Sequence, residues 1–452
     1  MKNRKQKFVT VALVCAITAT LWFGTRFVGR VSAVAKETYE NIEVFTNVLA
    51  LVQKNYVDPV TTKQLIDGAI TGMLNALDPH SAYLPPEMYK ELQVDTRGSF
   101  GGLGIEITTR NNVLTVVSPI EDTPAYRAGV KSGDQIIKIE DEFTKDMPLV
   151  EAVRKMRGPK GTKIHITLRR EGVANLIDLI LTREVIKIQS VKARLLEKGY
   201  GYLRITQFQE RTDDDLEHAL GNLEQENGGP LSGLVLDLRN NPGGLLTQAI
   251  KVADEFIDSG LVVYTDGRLE SQKQKYFAHK AGTHAEFPMI VLVNGGSASA
   301  SEIVAGALQD HKRGLVLGTQ TFGKGSVQTI LPLEESAAIR LTTARYYTPN
   351  GRSIQATGIT PDIVLDNTIV RAKTDGGPAL PMVREENLPR HFQHKGKAAP
   401  EEGVPKGEEE PDDTQGVHEG EIGKDPQLDR AMELLKSWNV FKTVVAQANP
   451  NP

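Results

Sequence analysis

Ser299 sits in the run NGGSASASE (residues 294–302), directly after the apolar stretch MIVLV at 289–293. Ser-Ala-Ser-Glu is the S-x-x-E pattern of a helix N-terminal capping box, and capping alone accounts for both Ser299 and Glu302. The same place also suits a nucleophile. The first backbone N–H groups of a helix lack intrahelical partners, so they can stabilise an oxyanion formed beside them. The chain contains no G-x-S-x-G, so this is not the serine elbow of an α/β-hydrolase.

Lys324 lies in GTQTFGKGS (residues 318–326), close to the phosphate-binding pattern G-x-x-x-x-G-K-[ST]. Gly325 stands where that pattern needs a hydroxyl for Mg²⁺, and VQTIL at 327–331 reads as a strand, whereas a phosphate loop opens a helix. Both features argue against a nucleotide site. Two readings of Lys324 remain: a turn lysine in water, or a lysine set against Phe322 and Val327 so that its pKa falls. In the second, the neutral amine is a general base toward a serine, the Ser-Lys form of the catalytic triad. Gln328 would then hold the amine by hydrogen bonding. A Ser-His-Asp arrangement has only His311 nearby. That histidine lies at the far end of the helix beginning beside Ser299, about 15 Å away at ~1.5 Å per residue, beyond proton transfer. His80 reads as a loop histidine. Asp213-Asp214-Asp215 reads as the acidic first turn of a helix rather than a cation site.

Short strands without alternation must position these residues. GLVLDL (233–238), MIVLV (289–293) and GLVL (314–317) are apolar throughout, as strands buried on both faces are. Helices over 245–256 and 301–309 follow two of them. The fold class is therefore an α/β core of buried strands and helices, spanning residues 184–372. Ahead of it, residues 97–183 form a β-rich segment opened by Gly98, Gly101, Gly102 and Gly104. Strands are expected there at 104–109, 113–117, 135–139 and 163–170, with a helix at 148–156. Residues 36–96 read as helical. Residues 373–425 are polar and Pro/Glu-rich, which predicts a disordered linker, and 426–452 carries a last amphipathic helix with Leu428, Met432, Leu435 and Trp438 on one side.

The 452 residues are too many for one core, and 53 Lys+Arg against 57 Asp+Glu give no overall electrostatic reason to bind nucleic acid. The single cysteine, Cys15, excludes an internal disulfide framework and any multi-cysteine metal site. Residues 1–35 read as an export segment. The basic stretch MKNRKQK precedes the uncharged apolar run 8–24, and Ala33-Val34-Ala35 would serve as a cleavage site. The run of 17 residues also suffices, at the lower limit, for a retained anchor with the body exported.

Taken together, LDLRNNPGG, NGGSASASE and FGKGSVQ resemble the carboxyl-terminal processing peptidases, the tail-specific serine proteases. The resemblance runs from about Val52 to Asp366 and includes LDPHSAYL and GITPDIVLD. It implies Ser299 as nucleophile, Lys324 as general base, Gln328 as support for the lysine, and the backbone N–H groups of Gly244 and Ala300 as the oxyanion hole. Gly243, adjacent, competes with Gly244 for that role. The segment 97–183 is similar to a PDZ module. The backbone N–H groups of Gly101-Gly102-Leu103-Gly104 would there receive a peptide's terminal carboxylate, and the strand edge that follows would pair with the peptide main chain, so that Gly102, Leu103, Gly104 and Ile105 are the peptide-binding residues. The function implied is an exported serine endopeptidase that binds protein or peptide substrates by their C-termini and needs no cofactor. A homo-oligomer and membrane association are expected with it. The alternative is a non-catalytic PDZ-type binding protein with the α/β core as scaffold.

Overall fold

The computed structural model describes residues 39–110, 112–284, 287–366, 384–392 and 419–448. The export segment 1–35 lies outside them. So do 373–383 and 393–418 of the predicted linker. Among the described residues no helix is long and apolar enough to cross a membrane. The chain divides into two units after Ala76. In the first, residues 39–55 are helical and a second helix spans Thr62–Asn75. Thr61 starts that helix with a reciprocal cap: Thr61 Oγ1 accepts from the Gln64 N–H at 3.2 Å, and Gln64 Oε1 accepts from the Thr61 N–H at 2.9 Å.

The second unit is built on a six-stranded sheet: β1 (Val191–Glu197), β2 (Tyr200–Ile205), β3 (Gly233–Asp237), β4 (Met289–Val293), β5 (Leu315–Gly318) and β6 (Ile363–Val364), side by side in that order. β1 and β2 are antiparallel and every later neighbour is parallel. Helices α1 (Thr212–Asn227), α2 (Leu246–Asp254) and α3 (Ala300–Asp310) supply apolar residues to the core on one face, and α4 (Pro426–Ala448) covers the other. Alternate residues of one strand enter different cores. Met289, Val291 and Val293 of β4 pack with Leu216, Val252 and Ile303, while Ile290 and Leu292 pack with Leu428, Met432 and Leu435. Two covered faces leave no solvent side, hence the unbroken apolar runs.

A second, antiparallel sheet was not foreseen. It joins Ala82–Leu84, Ala338–Tyr347, Gly260–Gly267 and Gln274–Ala278, with Ser326–Pro332 paired to Ala338–Tyr347. Its longest strand, AIRLTTARYY, is mostly half-buried and mixes arginines and threonines with its apolar residues, so it carries no clear alternation signal. The β-rich segment forms its own sheet in the order Ile105–Arg110, Val113–Pro119, Gln135–Ile139, Lys163–Arg169, Ile177–Thr182, around a core including Leu114, Ile136, Ile166 and Leu168. Its two connections to the rest of the chain, Ser99–Gly102 and Glu184–Lys187, pair with each other, so the module is an insertion whose ends meet.

The expected linker 373–425 needs correction at both described stretches. Glu385 and Asp425 are fully buried. Asp425 shares the buried guanidinium of Arg239 with Asp237, taking bonds of 3.0 and 2.7 Å from it, and Gln427 adds a third partner at 3.0 Å. A polar composition says nothing of partners far away in sequence, and paired charges can be buried where unpaired ones cannot. Asp425→Ala is expected to destabilise the fold by about 3 kcal/mol or more, because it leaves Arg239 under-neutralised in a site closed to water. Urea denaturation of the variant against wild type measures this, and an unchanged midpoint would contradict it.

Candidate active site

The loops after β3, β4 and β5 meet at the carboxyl ends of the parallel strands, the usual place for sites in open α/β sheets. Hydrogen bonds lace them together. The Asn240 N–H donates to Asn294 Oδ1 at 2.9 Å, and the Asn294 side-chain amide donates back to Asn240 Oδ1 at 2.9 Å. Ser297 Oγ donates to the Leu238 carbonyl at 2.8 Å, Ser301 Oγ to the Asn241 carbonyl at 2.9 Å, and the Phe322 N–H to the Ser297 carbonyl at 3.0 Å.

Ser299 occupies the turn between β4 and α3 with φ 55° and ψ −111°, a strained backbone for a residue with a side chain. Its hydroxyl makes no capping bond to α3. Only the Glu302 half of the expected capping box is in place: Glu302 Oε2 accepts from the Ser299 N–H at 2.7 Å. The serine oxygen is thereby left for other chemistry. Glu302 also does more than cap. Its Oε2 accepts from the Lys324 N–H at 2.9 Å, and its Oε1 from the Gly323 N–H at 2.7 Å and from Thr321 Oγ1 at 2.5 Å. One carboxylate oxygen thus holds the backbones of Ser299 and Lys324 within two hydrogen-bond lengths of each other. Burial pushes the Glu302 carboxyl up to about 7, against these four donors, which favour the ionised form.

Lys324 projects from a loop that opens a strand, Ser326–Pro332, and not a helix. Burial depresses its amine below the ordinary lysine range. Arg340 adds to the depression, while Glu385 and Glu302 oppose it. Both flanking glycines are required. Gly323 has φ +99°, and a Cβ on Gly325 would lie 2.3 Å from the Gln355 nitrogen. Gln328 follows a β-bulge at Val327/Gln328, and its amide donates to Ser326 Oγ at 3.0 Å and Thr342 Oγ1 at 3.4 Å. It is thus bonded within its own sheet.

The two candidate oxyanion glycines separate cleanly. The Gly243 N–H is taken by Asn241 Oδ1 at 2.9 Å, which leaves Gly244 to offer its own. A Cβ on Gly243 would stand 2.8 Å from Ser299 Cβ, and one on Gly244 would stand 2.1 Å from the Phe208 carbonyl oxygen. Gly243 therefore touches the serine directly, which the sequence did not reveal. Ala300 is the first residue of α3, where the backbone N–H has no helical acceptor. His311 caps the far end of α3 and bonds the Leu261 carbonyl at 2.7 Å.

In the β-rich module, Gly102 belongs to the pair of connecting strands, opposite Glu184. The Leu103 side chain is part of the module's core, so only its backbone is available to a ligand. Gly104 has φ +75° and packs so tightly on Thr123 that a Cβ would come within 2.2 Å. Ile105 starts the edge strand Ile105–Arg110, which among the described residues pairs on one side only, with Val113–Pro119. Its other edge is open to an added strand.

Peptidase family S41 matches residues 199–365, a PDZ domain matches 115–170, and the N-terminal domain of the activating protease CtpB matches 25–88. A carboxy-terminal-processing protease of Bartonella bacilliformis is 50% identical over 335 residues, covering 74% of this chain and 77% of the relative. The carboxy-terminal processing protease CtpA of Bacillus subtilis is 35% identical over 360 residues, covering 78% and 75%. Among solved structures, the photosystem II D1 C-terminal processing protease is 32% identical, with 71% of this chain and 92% of that one covered at a TM-score of 0.42. A serine at the mouth of a buried parallel sheet, an inserted PDZ domain and this degree of identity converge, and the chain belongs to peptidase family S41, with the carboxy-terminal-processing serine proteases.

Proposed function

We propose that this peptidase is an exported endopeptidase that takes substrates by their C-termini through the PDZ domain and cleaves them with a Ser299–Lys324 dyad. Glu302 carries the reading, because its one carboxylate bonds the backbones of both residues. The neutral Lys324 amine accepts the Ser299 proton as Oγ attacks the scissile carbonyl. The oxyanion is held by the N–H groups of Gly244 and Ala300, and the leaving amine receives the proton from Lys324 as the peptide bond breaks. Water, deprotonated by the same amine, releases the acyl group and restores the serine. Gln328 steadies the lysine once it turns from Ser326. No metal or organic cofactor takes part in these steps.

The open edge of Ile105–Arg110 would receive the substrate main chain, with the backbone of Gly102, Leu103 and Gly104 near its carboxylate. Export, by cleavage after Ala35 or on an anchor at residues 8–24, places the enzyme outside the cytoplasm, and a homo-oligomer is the expected assembly. An unfolded test protein offered with a free or an amidated C-terminus tests recognition. Amidation should raise KM about tenfold or more with kcat little changed, and equal KM values would remove the PDZ domain from substrate selection.

A further inference from the structure

Residues 384–392 lie against the back of the Lys324 loop. The Glu385 N–H donates to the Phe322 carbonyl at 3.2 Å, and an Arg384 guanidinium nitrogen donates to the Thr357 carbonyl at 3.3 Å. The Glu385 side chain is closed to water. Its carboxylate accepts from His80 Nε2 at 2.8 and 3.0 Å and from Gln355 Nε2 at 2.8 Å. Gln355 continues the line, since its Oε1 accepts from the Gly325 N–H at 3.1 Å. The His80 carbonyl accepts from Arg340 Nε at 3.0 Å, and the His80 N–H donates to Asp78 Oδ1 at 2.8 Å.

Three consecutive backbone N–H groups at the base loop are therefore held by side chains. Those of Gly323 and Lys324 go to Glu302, and that of Gly325 goes to Gln355, which Glu385 orients. The charged groups that bear on the Lys324 amine are Arg340 of the antiparallel sheet, Glu302 of α3 and Glu385. A buried carboxylate is costly unless it is paired. Here the pairing joins a loop near the start of the second unit to a segment 305 residues later, and both meet at the lysine loop.

We propose that Glu385 is a positioning residue for Lys324: through Gln355 it fixes the Gly325 end of the base loop, and its charge offsets that of Arg340 at the lysine. Segment 384–392 must then be seated for the peptidase to work. The proposal rests on the Ser299–Lys324 reading.

The test is steady-state cleavage of an unfolded protein by the full chain, from pH 5 to 10, for wild type, Glu385→Ala, Glu385→Gln and Lys324→Ala, with a thermal melt of each. Glu385→Ala should lose about 10–100-fold in kcat with KM nearly unchanged, the scale of a small misplacement of a catalytic group. Glu385→Gln keeps an acceptor for Gln355 and should recover most of that loss. It should also move the acid limb of kcat/KM down by about one pH unit, because removing a negative charge beside the amine makes it easier to deprotonate. A Glu385→Gln limb superposed on wild type, or Glu385→Ala turnover within twofold of wild type, overturns the proposal. An inactive Lys324→Ala with an unmoved Glu385→Gln limb contradicts this assignment alone, whereas an active Lys324→Ala contradicts the dyad itself.

Discussion

Lys324→Ala is expected to lower kcat/KM at neutral pH by about 10³-fold or more, the upper range for removing a general base. Lys324→Arg should be equally inactive, since a guanidinium fits the loop's charge but cannot give up its proton. The sign of the pH dependence follows from the same chemistry. In the proposed mechanism the base must be neutral, so activity should be lost as pH falls through the lysine pKa. Burial and Arg340 depress that value, so the limb lies below the ordinary 10.5. Cleavage of an unfolded protein at a series of pH values measures it. Substantial turnover by either variant at neutral pH would remove the lysine from the mechanism.

Glu302→Gln is expected to cost about 100-fold in kcat and about 2–3 kcal/mol of stability. The carboxylate accepts from three backbone N–H groups and the Thr321 hydroxyl. A glutamine keeps one acceptor oxygen and turns an NH₂ group toward donors, so buried N–H groups lose their partners at about 1–3 kcal/mol each. The catalytic loss follows because the same oxygen holds both Ser299 and Lys324. In wild type, Glu302 takes up its proton as the pH falls through about 7, which loosens the knot on the side where Lys324 is also being protonated. Kinetics with urea denaturation checks both effects. Wild-type turnover in Glu302→Gln would show that the knot is ornamental to catalysis.

Much of this was legible in the chain because local rules carry it. β4 is readable from five apolar residues, since each face of the sheet is covered and neither tolerates a polar side chain. The tight turns that carry Ser299 and Lys324 are readable from the glycines around them, and the close packing of Gly243 on Ser299 and of Gly325 on Gln355 accounts for two of those glycines. The second role of Glu302 was not, because its other partners lie 19 to 22 residues on. Glu385 and Asp425 were hidden for the same reason on a larger scale. Each sits in a stretch whose composition promises solvent, and each is buried by a partner supplied by a distant part of the chain.

Incubation of wild type and Ser299→Ala with the same unfolded protein, followed by acid quench and intact-protein mass measurement, tests the nucleophile most directly. The expected result is peptide products and a transient acyl adduct on wild type that maps to Ser299, and neither product nor adduct on a Ser299→Ala protein that unfolds at the same urea concentration. Equal cleavage by the two proteins, or an adduct on another residue, would contradict it.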